Sequence, residues 1–564
     1  MKHLKIIVPW VLCGLLVTLL LAVPWAGESV SQIERMEYRI SPFHTEMTQP
    51  LDARSFIERQ GLPALSRMDA AEQAQYIEPL QVMRKLSRLG LSDQDLLYPE
   101  ILEARLYEEI LQQEATEKTS VVFSGETTAE LNAFLLENAG KKVGVSSEKL
   151  LVNQTIRVPD HTILTGAPTW LESAGVNQAF YQEGGCDIEI SGFVIEGGFE
   201  YGIYLADIER AVIRENRLKA LSKKPLVLMG ECTGIVVADN EVEGNQHGGI
   251  YLNGDISNSL IEGNRITGNF GTSNWMAGIV LTAIRISDKS DPYAGFRTDL
   301  HFPEEERLDE MLSAPHRVIV RNNTVSGNNS SGIYCDGAYL VYITENQITG
   351  NDKEGLCLDY GTIGAYIACN DIRSNGNRAR QTDQDLKNDF VLDAGRLEDG
   401  SSCSKLPGIS IDNSACNIIY DNRVEGNYGS GVKMVRTGVR NIISTNIIHD
   451  NNRGAGDTFH FFGIELGFAA ADVEAVNLDF VSDYENIICR NLITGAHYAG
   501  IFLAEETYIN DFFDNVILDA SCWSMESLSQ RYNSTVNNLS QLPSRGISLS
   551  AASGPAIVLP QIVN

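Results

Sequence analysis

Three aspartates close the same short phrase in successive repeats of this chain. Asp336 ends Gly332-Ile333-Tyr334-Cys335-Asp336, Asp359 ends Gly355-Leu356-Cys357-Leu358-Asp359, and Asp412 ends Gly408-Ile409-Ser410-Ile411-Asp412. If each phrase is a β-strand, the apolar pair points inward and the residues alternating with it point outward. The carboxylates then share one outward column, with neighbours about 5 Å apart and the outer two about 10 Å apart, at roughly 4.8 Å per rung. Lys433 and Arg436 follow from the next repeat. Stacked carboxylates repel unless something offsets them. A hard divalent cation such as Ca2+, bound through oxygen by Asp336, Asp359 and Asp412, would do so. It would neutralise a uronate carboxylate and acidify the C5 proton. Lys433 or Arg436 would take that proton, giving elimination or epimerisation. Alternatively one aspartate holds a proton, and a carboxyl pair about 5 Å apart hydrolyses a glycosidic bond with retention, a wider pair with inversion. A third reading leaves all three as solvated side chains beside loops.

The outward column one step earlier in each phrase reads Tyr204, Tyr251, Val280, Tyr334, Cys357, Ser410, Lys433, Glu465, Phe502. Tyr204, Tyr251 and Tyr334 offer rings on which sugars stack, and Glu465 adds a polar contact for substrate. His460 lies three residues before Gly463, placed to act as acid or base. His247 and His449 are the other histidines near this face.

What must position these groups is a repeat. The phrase Asn-x-(Ile/Val/Leu)-x-Gly-Asn recurs, usually followed about nine residues on by Gly-(Ile/Val/Leu)-x-(apolar). Examples are Asn240 to Asn245 before Gly249-Ile250-Tyr251-Leu252, and Asn346 to Asn351 before Gly355-Leu356-Cys357-Leu358. Register positions fall at Gly192 (a variant first member), Asn216, Asn240, Asn264, Asn323, Asn346, Asn370, Asn422, Asn446, Asn491 and Asn515, most of them 23 or 24 residues apart. A period in the twenties marks a solenoid. Short alternating runs between Asn and Gly, without a 3.6-residue pattern, make each period a coil of strands. Such coils bury their apolar face only by stacking. Asn at one fixed position would stack as a ladder inside a bend and tolerate left-handed backbone angles.

This pattern resembles the right-handed parallel β-helix repeat of the pectate-lyase-like superfamily over roughly residues 120–520. The resemblance implies an all-β solenoid of about 11 or more coils, and an activity among lyases, epimerases, hydrolases or non-catalytic proteins. The Asp-Pro-His-Asp motif of mannuronan C5-epimerases is absent, as is the ordered motif series of polygalacturonases. The site above is therefore read from spacing alone.

The chain divides into five parts. Residues 1–27 hold Lys2 and Lys5 before an uncharged apolar run over 6–26, read as a signal peptide or signal anchor; membrane contact follows only if it is uncleaved. Residues 28–118 read as helical. Residues 119–190 form the N-terminal cap and first coils, with Thr127-Thr128-Ala129-Glu130 as a capping box opening a helix that Gly140 closes. Residues 191–520 are the β-helix, and 521–564 a C-terminal tail or cap. Insertions at 270–277, 284–315, 377–407, 452–460 and 468–482 all flank the Gly-Ile-x-Leu strand, which marks its outward face as the candidate groove.

Formal charge is −30, with the acidic excess spread along the chain. This argues against nucleic-acid binding and for a periplasmic or extracellular protein. A cation or a local basic patch must offset that field if the partner is an acidic cell-envelope or extracellular polysaccharide. The ten cysteines lack metal-finger spacing. Cys403 and Cys416 are a disulfide candidate, and most of the others are expected to be buried apolar residues. The combined expectation is a carbohydrate-active β-helix protein, lyase or epimerase first, with hydrolase and non-catalytic scaffold as alternatives.

Overall fold

The computed structural model describes residues 119–540, apart from 272, 284–312, 360, 378–405, 454–460, 468–482, 484, 505–506, 508–509, 528–532 and 537. The expected signal or anchor run, the helical region 28–118, His460, Cys403 and most of the tail lie outside the described residues. So do the side chains of Val435, Arg436 and Thr437. Among the described residues no helix is long and apolar enough to cross a membrane.

The alternation of apolar and polar residues produces three parallel strand ladders that run the length of a β-solenoid of about 13 turns. The first ladder carries the Gly-Ile-x-Leu strands, among them Tyr201–Ala206, Ile279–Thr282, Ile333–Asp336, Leu356–Asp359, Val432–Val439 and Ile464–Leu466. Inward residues of one rung stack on their equivalents in the next, as in Ile250–Ile279–Ile333–Leu356–Ile409–Val432–Ile464–Ile501. The second ladder stacks Ile319–Tyr342–Tyr366–Ile418 outward and Val320–Ile343–Ile367–Ile419 inward, and the third stacks Val325–Ile348–Ile372–Val424. All of the inward residues are fully buried in one continuous core. Burying each such side chain contributes about 1.5–3 kcal/mol.

Each of the three corners carries an asparagine ladder, where the repeat predicted one. The register asparagines run from Asn216 through Asn346 and Asn370 to Asn515 and Asn538. The asparagines five residues after the register asparagines form a second line, Asn245–Asn269–Asn328–Asn351–Asn375–Asn427–Asn451. A third, Asn417–Asn441–Asn486–Asn510–Asn533, fills the remaining corner. Asn346 is typical: its Oδ1 accepts from the backbone N–H and Nδ2 of Asn323, and its own Nδ2 donates to Val320 O and Asn370 Oδ1, all within 2.8–3.0 Å. The left-handed angle falls on the residue before the ladder rather than on the asparagine: Glu345, Cys369, Asp421 and Arg490 all have φ between 51° and 58°. Gly192 is likewise this bend residue (φ 74°), and Phe193 takes the ladder place, donating its N–H to Asn216.

The glycine that opens each first-ladder strand is required by these ladders. A Cβ on Gly355 would lie 2.5 Å from Ile372 and 2.8 Å from Asn375 Nδ2. At the lower end the capping box is present, with Thr127 and Glu130 bonding each other's backbone. The helix α1 (Thr128–Glu137) ends before Gly140 and sends Leu131 and Leu135 into the core, which closes the open end.

Candidate functional site

The first ladder fixes the outward columns. Thr282, Asp336 and Asp359 pair on consecutive rungs. The next strand pairs up to Leu358↔Ile411, one residue short of Asp359 and Asp412, and Asp412 pairs onward with Val435. The neighbouring column runs Tyr181, Tyr204, Val227, Tyr251, Val280, Tyr334, Cys357, Ser410, Lys433, Glu465, Phe502, Glu526. Tyr204 and Tyr251 are therefore two rungs apart, because the coil of Val227 opens with Pro225 instead of the usual glycine and escapes the repeat.

These outward side chains are not solvated. Asp336, Asp359 and Asp412 are 1%, 5% and 2% exposed. Asp336 Oδ2 accepts from the Thr282 hydroxyl at 3.2 Å, and Asp359 Oδ2 from the Tyr334 phenol at 3.0 Å. Tyr334 is itself buried, so in this structure it holds Asp359 and presents no ring to solvent. Two rungs beyond Cys357, Lys433 Nζ lies 3.2 Å from Glu465 Oε1, and Glu465 Oε2 accepts from Ser430 Oγ at 2.6 Å. All three are buried. A lysine held by a carboxylate is a poor base until that partner takes up its proton or moves.

Sequence reasoning missed two acids here. Glu354, buried at the entry to its strand, accepts from Ser331 Oγ at 2.7 Å. Asp483 is fully buried inside the third corner, where its Oδ1 accepts from Gly438 N–H at 2.6 Å and its Oδ2 has no hydrogen-bond partner among the described residues. Burial pushes this carboxyl up to about 7; the nearby Glu465 adds to the effect, and Lys433 and the Gly438 and Gly467 amides oppose it. Its equivalents on other rungs are Ser414, Gly438 and Thr507, each three residues before a third-ladder asparagine. A register read through that corner would have found the charged exception.

The donor set of Asp336, Asp359, Asp412 and Thr282 is all oxygen, which suits a hard divalent cation. Among the described residues a separate cluster, His161, Cys186 and Asp187, also brings ligand atoms within 4.8 Å of one another, but Asp187 is held by Arg210 through Nε at 2.7 Å and through a second nitrogen at 3.0 Å. Five of the eight described cysteines are buried, as expected. His247 is partly buried and His449 lies on the opposite ladder, where its Nδ1 meets Thr494 Oγ1 at 2.8 Å.

Residues 178–372 match the family model described as "Right handed beta helix region". The tail spike protein of Salmonella phage epsilon15 is 27% identical over 157 residues, which is 28% of this chain and 13% of that protein. Among solved structures, the mannuronan C-5 epimerase AlgE6 A-module of Azotobacter vinelandii is 14% identical, with a TM-score of 0.40 over 77% of this chain and 99% of that one. Tailspike protein 3 of bacteriophage CBA120 is 8% identical, with a TM-score of 0.47 over 77% and 62%. The surface protein and adhesin PfbA of Streptococcus pneumoniae is 11% identical, with a TM-score of 0.32 over 77% and 99%. An epimerase, a tailspike and an adhesin at such low identity carry no argument about activity. The strand ladders that run through 178–372 continue on either side of it, and the described residues fold as a right-handed parallel β-helix.

Proposed function

We propose that this chain is an extracytoplasmic carbohydrate-active protein that acts on an acidic polysaccharide, along the outward face of the first strand ladder. The observation that carries this reading is the run of buried acids on that face, Asp336, Asp359 and Asp412, ending in the Lys433–Glu465 pair. Buried, hydrogen-bonded carboxylates on consecutive rungs are costly to keep and cluster where chemistry uses them. Ca2+, if bound, would sit on Asp336, Asp359 and Asp412 and neutralise the substrate carboxylate. Thr282 and Tyr334 orient two of these carboxylates, and Lys433, released by Glu465, or Arg436 accepts the C5 proton. Because the acids are buried, this face must open to admit a sugar.

The hydrolytic reading is favoured by one observation: Lys433 is already engaged by Glu465, whereas Asp336 and Asp359 sit on adjacent rungs with different partners, an alcohol and a phenol. Such a difference is one way to keep one carboxyl as acid and the other as nucleophile.

The test mixes the full chain with uronic-acid and neutral polysaccharides, with Ca2+ or with chelator. New ultraviolet absorbance reports elimination, reducing ends report cleavage of any kind, and NMR reports epimerisation. Asp359→Ala is expected to lose activity at least about 100-fold while keeping its fold. Reducing ends without absorbance select hydrolysis. Binding without any product would leave a non-catalytic carbohydrate-binding protein and overturn the enzymatic reading.

A further inference from the structure

The net charge of −30 poses a problem for any polyanionic partner, and one place on the groove answers it. Lys224 lies just before Pro225, at the entry to the coil of Val227. Its Nζ donates to the Trp275 carbonyl at 2.8 Å and stands 3.6 Å from the centroid of the Tyr251 ring. The groups that face it are Tyr251, Trp275, His247 and Lys223. Lys223 is neutralised by Glu200 at 3.0 Å, and His247 carries no negative charge. Among the described residues no carboxylate offsets the Lys224 ammonium: burial pushes its amine down to about 7. The imidazole of His247 is pushed down by burial first, and then by Lys224 and Lys223.

Aromatic rings line its surroundings. Tyr181 and Tyr204 lie on consecutive rungs with ring centroids 5.4 Å apart, and Tyr201 meets Tyr204 edge-on at 5.7 Å. Tyr181, Tyr201, Tyr204, Lys224 and His247 all keep partial exposure, unlike the acidic rungs. Tyr251 stands two rungs, roughly 10 Å, from Tyr334, so this patch and the acids lie along one line of the groove.

We propose that Lys224 and His247, flanked by Tyr204, form a subsite for one anionic sugar residue, a uronate whose carboxylate completes the missing charge pair. This rests on the reading of an acidic substrate and adds where its charge is recognised. An anion there stabilises the protonated forms of both Lys224 and His247. Binding therefore takes up protons near neutral pH, and affinity falls as pH rises through 7.

The test uses the full chain with oligogalacturonate, oligomannuronate and a neutral oligosaccharide of equal length. Calorimetry is expected to show Lys224→Met weakening uronate binding at least about tenfold at pH 6.5, with neutral-sugar binding unchanged. As a readout independent of any variant's folding, lysines of the wild-type protein are reductively methylated with a carbon-13 label. The Lys224 resonance is expected to titrate near 7 and to move to higher pH with oligouronate only. If wild type binds oligouronates and Lys224→Met binds them equally, the subsite is refuted and the acidic-substrate reading stands. If no anionic saccharide binds wild type or moves the Lys224 titration, both are refuted.

Discussion

The second asparagine ladder ends on a histidine, and that substitution should make one corner of the solenoid acid-labile. His497 is fully buried, and its Nε2 accepts from the backbone N–H of Asn451 at 3.2 Å, the place where an asparagine Oδ1 stands on the rungs from Asn245 to Asn451. An accepting Nε2 must be unprotonated, so the proton sits on Nδ1, which has no hydrogen-bond partner among the described residues. Burial holds the imidazole down to about 4; Asp450 opposes this and His449 adds to it. The unfolded chain binds its proton near 6.5. The folded state therefore binds fewer protons between these values, so stability from this group is complete above about pH 6.5 and is lost as pH falls toward 4. At pH 4.5 the loss works out to about 2–3 kcal/mol, at roughly 1.36 kcal/mol per pH unit, and at pH 7.5 it is close to zero. His497→Gln keeps an acceptor at similar reach without the titration. Hydrogen exchange of the Asn451 amide, measured in both proteins, reads the local opening directly. At pH 7.5 the two should agree, and at pH 4.5 the variant should be protected more strongly by on the order of 100-fold, which is that energy expressed as a ratio. Parallel loss of protection in both proteins would refute the reasoning, as would a His497 imidazole titrating near 6.5.

Two further outcomes follow from the same corners. Asn346→Ala removes an amide whose four bonds are all made and strands Val320 O and the Asn323 N–H in the interior, while Asn370 Oδ1 keeps the backbone N–H of position 346; the cost is about 1–3 kcal/mol per stranded group. Urea unfolding should show a loss of at least about 2 kcal/mol, and a loss below about 1 kcal/mol would mean the ladder is replaceable by water. Asp483 runs opposite to His497. Its folded carboxyl is raised to about 7 from an unfolded value near 3.9, so its contribution is full below about pH 3.9 and is lost as pH rises through 7. Asp483→Asn keeps an acceptor for Gly438 N–H and should stabilise the protein at pH 8, by up to about 4 kcal/mol, with little effect at pH 4. Destabilisation at pH 8 would mean that the ionised carboxylate has a partner the fold depends on.

The sequence alone determined the solenoid. A period of 23–24 residues with alternating apolar pairs leaves stacking as the way to bury them, and the register asparagines, the capping box and the strand carrying Asp336, Asp359 and Asp412 were all readable from it. It also placed every large insertion beside that strand. What it left out belongs to the corners and to burial. The Val227 coil opens with Lys224-Pro225, so a search for the glycine phrase skipped the coil and the lysine that sits over Tyr251. Asp483 and His497 replace small or amide residues in ladders that only the three-dimensional register makes visible. Alternation decides whether a side chain points away from the core, but not whether other parts of the chain cover it. The tertiary structure decided that outward-pointing Asp336, Asp359, Tyr334 and Lys433 are buried, and that Tyr334 serves an aspartate. Local pattern is fixed by the backbone's own period, whereas solvent exposure and the pairing of charges depend on segments distant in sequence.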